Sequence, residues 1–275
     1  MRRNIFCISV ILFLSPSVIF SQTIREPISA IYLGLNTYST QHVDVFSFTN
    51  NQASLAQVQK TSVGIYSERR FLLAEATMYT MAAAFATNKG NFGISLKYDG
   101  FTNYHETELG FAYGRSLDKK VDVGIEFNYD GYSIPGYGSN TAIDFEMGAI
   151  FHLSDKLNAG IHIYNPVGGN FLKGDEKLPA VYKTGFSYDA SDRFFVSAEM
   201  EKEENCPASV NAGVQYQFQK QFFARMGIVS GTSSFYAGAG VAWSNLRLDI
   251  SCSSHPKLGL SPGLLLIIDI DKKNK

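Results

Sequence analysis

Five histidines, His42, His105, His152, His162 and His255, are the residues from which a metal centre or a general base would be built, and their spacing supports neither. No serine and histidine identify a nucleophile pairing. The chain is therefore expected not to be an enzyme, and it implies no cofactor. Its chemistry-bearing residues are instead charges at alternate positions of extended segments: Glu68, Lys97, Asp99, Glu108, Asp122, Glu126, Asp144, Glu146, Lys183, Glu199, Arg225, Arg247 and Asp249. Charges taken out of water must pair or stay hydrated. Either they brace a wall across strands, or they line a path for a solute.

The segments that carry these charges alternate with period two. Residues 120–132, KVDVGIEFNYDGY, put Val121, Val123, Ile125 and Phe127 on one face and Asp122, Glu126 and Asp130 on the other. In a water-soluble sandwich the apolar face would turn to a core, and in a membrane barrel it would turn to lipid. From residue 61 the same pattern predicts about fourteen strands, at 61–69, 74–86, 91–101, 105–117, 120–132, 141–153, 156–165, 179–189, 193–202, 208–218, 221–230, 234–243, 246–255 and 260–270. Most are about ten to thirteen residues long, whereas soluble strands run about five or six and a tilted strand crossing a bilayer needs about nine to eleven.

Two further tests favour the barrel. Short connections (residues 88–91, 118–119, 154–155, 190–192, 219–220 and 244–245) alternate with mostly longer ones (102–104, 133–140, 166–178, 203–207 and 255–259), as in an outer-membrane barrel. Aromatics gather near the short-turn ends, as Phe92, Tyr113, Phe151, Tyr188, Phe194, Phe218, Phe222 and Trp243, where an interfacial girdle would stand. The expectation is an all-β transmembrane antiparallel barrel of about fourteen strands over residues 61–270. Glu68, Asp122, Glu126, Glu146, Glu199, Arg225 and Arg247 are its candidate lumen residues. Glycines recur once per strand on the inner face, among them Gly110, Gly124 and Gly148, as room for an internal segment or for curvature.

Arg2 and Arg3 precede an apolar run from Ile5 to Leu14, so residues 1–21 read as a signal peptide with the mature chain starting near Gln22. Beyond it no apolar run is long enough for a spanning helix. A formal net charge of -1 gives no reason to expect nucleic acid. Cys206 and Cys252 are expected to be unpaired. Residues 22–60 lack long alternation yet carry Ile31, Leu33, Phe46, Phe48 and Leu55, more apolar surface than suits a free tail. They read either as a segment inside the barrel or as a partly ordered tail, with Asn50 and Asn51 capping a short helix over residues 52–58.

The entry FTNNQASLA (residues 48–56) followed by VGIYSERRF (63–71), together with HIYNP (162–166) and HPKLG (255–259), resembles FadL-type outer-membrane transport barrels and their PorV-like relatives in Bacteroidota. Gln52 stands where the fatty-acid transporters usually have proline. The resemblance implies a fourteen-stranded barrel with residues 22–60 inside it as a hatch, for which Asn50, Asn51, Gln52 and Leu55 are candidates. It also implies an outer-membrane location in a Gram-negative cell among membrane lipid and lipopolysaccharide. With an even strand number both termini, including the tail 271–275, would face the periplasm. Two roles follow: transport of a small hydrophobic compound, or a non-conducting partnership with secreted proteins or a type IX secretion machine. Pro262 and Gly263 would weaken pairing in the last strand and mark a candidate lateral portal.

Overall fold

The computed structural model describes residues 32, 35, 38–136, 138–168, 178–219 and 221–270. The expected signal peptide, the first part of the 22–60 segment, most of the 166–178 loop and the tail 271–275 lie outside the described residues. Fourteen strands close into one antiparallel barrel. In order they are β1 (Thr61–Arg69), β2 (Thr77–Phe85), β3 (Asn91–Phe101), β4 (Tyr104–Ser116), β5 (Val121–Ile134), β6 (Gly138–His152), β7 (Leu157–Tyr164), β8 (Val181–Ser191), β9 (Phe194–Glu203), β10 (Ser209–Phe218), β11 (Phe222–Val229), β12 (Ser234–Trp243), β13 (Leu246–His255) and β14 (Gly259–Ile270). Each pairs with its sequence neighbours, and β14 closes on β1 from Thr61↔Ile270 to Glu68↔Gly263.

Two expected boundaries are corrected. Residues 133–140 are not a loop, because Ser133↔Ser139 and Ile134↔Gly138 continue the β5–β6 ladder almost to its tip. The second strand begins at Thr77 rather than at residue 74, because Arg70–Leu72 and Ala74–Ala76 form two single 3-10 turns. Phe71 and Leu72 there have positive φ of 53° and 59°, which a strand does not accommodate. Cys206 and Cys252 are free thiols.

Side-chain direction follows the alternation. On β5, Phe127 is 55% exposed while its neighbour Glu126 is 2% exposed, and on β6 Ile143 is 63% exposed while Glu146 is fully buried. The outer surface is apolar and the inner surface is charged, the reverse of a water-soluble sheet. Hydrocarbon outside fits this surface, since closure leaves no unpaired strand edge to desolvate. Phe92, Tyr188, Phe218, Phe222 and Trp243 ring the short-turn end, and Tyr79, Tyr98, Tyr129, Tyr182 and Phe235 ring the loop end.

The described residues before β1 pack against inward-facing side chains of the wall. Phe46, Phe48 and Leu55 are buried in one apolar cluster with Tyr66, Phe195, Tyr236, Leu265 and Ile267 of the wall. Inward glycines make the room: a Cβ at Gly64 would strike the Phe46 ring, one at Gly93 the Phe48 ring, and one at Gly124 would stand 2.3 Å from the Gln52 carbonyl carbon. Gly124→Val is therefore expected to destabilise the seating of residues 38–58 by about 1–3 kcal/mol through overpacking. Gly131→Ala, whose Cβ would find its nearest neighbour at 3.4 Å, should change little. Proteolytic release of the N-terminal residues from the purified barrel reads both variants; equal resistance would contradict the close approach at Gly124.

Candidate functional site

Three groups of contacts join residues 32–58 to the inward faces of the strands. The first is on β3–β7. Asn51 caps a 3-10 helix, Gln52–Gln57, by accepting from the Ala53 amide at 3.0 Å. Its own amide donates to the Ile161 carbonyl at 3.1 Å. That cap aims Gln52 at two carboxylates: its Nε2 donates to Glu126 Oε2 at 3.0 Å and to Glu146 Oε2 at 2.7 Å. Asn128 donates to Glu146 Oε1 at 2.8 Å and to Asp144 at 3.1 Å, and His162 Nε2 lies 2.7 Å from Glu146 Oε2. Two primary amides thus bridge three buried carboxylates, satisfying acceptors that hydrocarbon outside the wall cannot.

The second group is ionic and lies on β10–β13. Asp44 accepts from Arg247 Nη1 at 2.8 Å and from the Tyr32 hydroxyl at 2.8 Å. Arg247 also holds Asp249 at 2.6 Å, Asp249 accepts from Arg225 at 2.7 Å, and Arg225 Nε donates to Gln215 at 2.6 Å. The Phe223 ring packs beneath both guanidinium groups, at 4.3 Å from Arg225 and 5.0 Å from Arg247. Two arginines and two aspartates form a chain of alternating sign, so burial leaves no large net charge behind.

On β8 and β9 the third group is formed: the Tyr38 hydroxyl donates to Glu199, Ser39 and Thr40 to Asp189 at 2.5 and 3.0 Å, and Lys183 Nζ to Asn50 Oδ1 at 3.1 Å. Beside these groups His42 is buried between the Tyr32 and Phe195 rings, at 5.4 and 6.1 Å between centroids. Both of its ring nitrogens lack a hydrogen-bond partner among the described residues.

The structure places the sequence-derived residues as follows. Glu126 and Glu146 meet Gln52, Glu199 meets Tyr38, and Arg225 and Arg247 share Asp249. Asp122 lies apart, 2.9 Å from His152 at the short-turn end. Glu68 lies toward the loop end and accepts from the Tyr66 hydroxyl. Leu55 is in the apolar cluster, and Asn50 contacts Lys183 instead of capping the helix. Pro262 and Gly263 stand where β1 stops pairing with β14. Beyond that point Ser261 Oγ accepts from the Phe71 amide at 3.0 Å, while β13 continues to pair with β14 through Cys252↔Pro262. Tyr38, Asp44 and Asp189 went unmarked in the sequence, and His42 was weighed there only as a metal ligand or base. Asp44 had one signal, a single carboxylate flanked by Val43, Val45 and Phe46.

No protein-family model matches the chain, and no curated protein matches its sequence. Its shape has solved counterparts. The CymD monoaromatic hydrocarbon channel superposes with a TM-score of 0.71 at 13% identity, over 89% of this chain and 98% of that one. It has the fold of that channel. A Pseudomonas aeruginosa FadL homologue gives 0.61 at 11% identity (88% and 97% covered), and the Ralstonia pickettii toluene transporter TbuX gives 0.59 at 11% (82% and 92% covered).

Arg247→Ala would leave Asp44 and Asp249 facing each other with Arg225 alone. A loss of about 3 kcal/mol in the seating of residues 38–58 is expected, the low end for a broken buried pair because Arg247 is 18% exposed. Arg247→Lys should recover part of it, lacking the fork that spans both carboxylates. Urea dependence of N-terminal protease resistance measures both, and wild-type behaviour in Arg247→Ala would show the pair contributes nothing. Burial and the nearby Arg225 push the His42 pKa down to about 3, with Asp44 pulling the other way and Arg247 adding to the fall. Undocked, the ring protonates near 6.5, so docking is fully favoured above that pH and weakens as pH falls toward 3. The same assay at pH 7 and pH 5 should show weaker seating at pH 5 in the wild type and a flatter response in His42→Phe.

Proposed function

We propose that this chain is an outer-membrane transporter for small hydrophobic compounds, with residues 22–60 as a hatch in its lumen. The observation that carries the reading is the internal segment itself. Beside its apolar cluster it is held by polar side-chain contacts (Gln52 to Glu126 and Glu146, Asp44 to Arg247, Tyr38 to Glu199) within a wall that has the fold of hydrocarbon channels. Polar contacts exchange readily with water, so a segment held this way can shift without exposing the whole apolar cluster. The neighbouring structures are described as channels or transporters for monoaromatic hydrocarbons and toluene, and a small apolar substrate is the class proposed here. Membrane lipid and lipopolysaccharide surround the barrel in this reading, and the short-turn end with both termini faces the periplasm.

The seam above Glu68↔Gly263 is the proposed lateral exit. There two single 3-10 turns replace a ladder, and Pro262 has no amide hydrogen to donate. A non-conducting partnership with secreted proteins or a secretion machine rests on the sequence resemblance alone, as does an origin in Bacteroidota.

Reconstituted in liposomes, the protein should give saturable uptake of a monoaromatic hydrocarbon that empty liposomes lack. Absence of such uptake would remove the transporter reading. In a background of Cys206→Ser and Cys252→Ser, a Phe71→Cys, Ser261→Cys pair should slow uptake several-fold when oxidised and restore it on reduction. Unchanged uptake in the oxidised form would move the exit away from this seam.

A further inference from the structure

At the short-turn end the mouth of the barrel holds a cleft of about 630 Å3 that none of the contacts above uses. Lys60, Lys89 and Arg115 line it with Gln59, Asn88 and Asn91, and no carboxylate among the described residues does. Its walls are tied together. Asn91 accepts from the Thr87 amide at 2.8 Å and donates to the Leu55 and Val58 carbonyls at 2.6 and 2.8 Å. The Tyr113 hydroxyl donates to the Lys89 carbonyl at 2.8 Å, and Gly90 turns the chain beside it with φ of 124°. One wall therefore belongs to the end of the N-terminal segment, the others to the turn before β3 and to the end of β4.

Lys89 and Arg115 make no ion pair among the described residues, and Lys60 reaches Asp269 at 3.7 Å from a half-exposed position. Three cations around one concave space repel one another and concentrate anions within it. A guanidinium, two ammonium groups and neighbouring amide donors match the several acceptor oxygens of a tetrahedral oxyanion. The cleft also has room for such a group with an ester substituent.

We propose that this mouth binds a phosphate group, supplied either by a free phosphate or phosphate ester in the adjoining aqueous space or by a lipid headgroup of the adjoining leaflet. Bound there, it bridges Lys60, the residue leading into β1, to the turn carrying Lys89 and to Arg115 at the end of β4, and it steadies the exit of the N-terminal segment. The proposal stands apart from the transport reading, because its readout is binding and not flux.

The test uses the mature full-length barrel in a maltoside detergent, which carries no phosphate. Titration with inorganic phosphate, followed by calorimetry, should show saturable binding that weakens as salt is raised. A Lys89→Gln, Arg115→Gln variant should bind about tenfold or more weakly, while Lys156→Gln, in another turn, should bind as the wild type does. Heat-dependent electrophoretic mobility confirms that each variant keeps the barrel. Phosphatidylglycerol is then added. Competition with phosphate, with the lipid retained on the wild type but not on the double variant in native mass spectrometry, identifies the lipid as the source; phosphate binding unaffected by the lipid identifies the free form. Absence of both phosphate binding and lipid retention overturns the site, and so does binding that the double variant leaves unchanged.

Discussion

In hydrocarbon a backbone amide has nowhere to donate except to another strand, so β14 must find β1 and the sheet must close. Every other feature of the molecule depends on that pairing, from Thr61↔Ile270 to Glu68↔Gly263. Closure fixes an inside and an outside. Alternation then sends Phe127, Ile143 and Ile228 to the outside and Glu126, Glu146 and Arg225 to the inside. A barrel of fourteen strands is too wide for its own inward side chains to fill, and the N-terminal residues supply the missing volume.

How the lumen is filled differs around the wall. Against β3–β7 the N-terminal residues present backbone and primary amides, which inward glycines admit and carboxylates bind. Against β10–β13 they present a carboxylate to two arginines. Both solutions keep buried charge compensated, the first with neutral donors and the second with opposite charge. The glycines at 64, 93 and 124 are thus positions where an internal ring or peptide rests against the wall.

Much of the wall was legible beforehand because the property that matters, which side chains face lipid, is written with period two along each strand. The strand at 91–101 and those at 61–69, 234–243 and 246–255 are found at the expected limits. The exceptions are physical. Residues 133–140 read as a loop because proline and glycine signal turns, yet cross-strand pairing carries both strands further. Residues 74–76 read as strand because Ala-Glu-Ala continues an alternating run, yet positive φ at Phe71 and Leu72 delays the ladder. For the lumen, the sequence marked Glu126, Glu146, Glu199, Arg225 and Arg247 by facing and Gln52 by resemblance, but not which of them would meet. Tyr38 and Asp44 reach Glu199 and Arg247 across more than a hundred residues of chain, from a segment with no period to read.

Sequence by itself determined that the chain makes long alternating strands with charge on one face, because strand geometry imposes alternation residue by residue. It also narrowed the cap of a short helical turn to Asn50 or Asn51, since capping is local, and the structure puts Asn51 in that role. Tertiary structure alone decided which carboxylate Gln52 would meet, that Asp44 would face Arg247, and that the β1 ladder would end at Gly263. Those contacts depend on strand register and on the path of an irregular segment, and both are set by closure of the whole barrel rather than by any stretch of it.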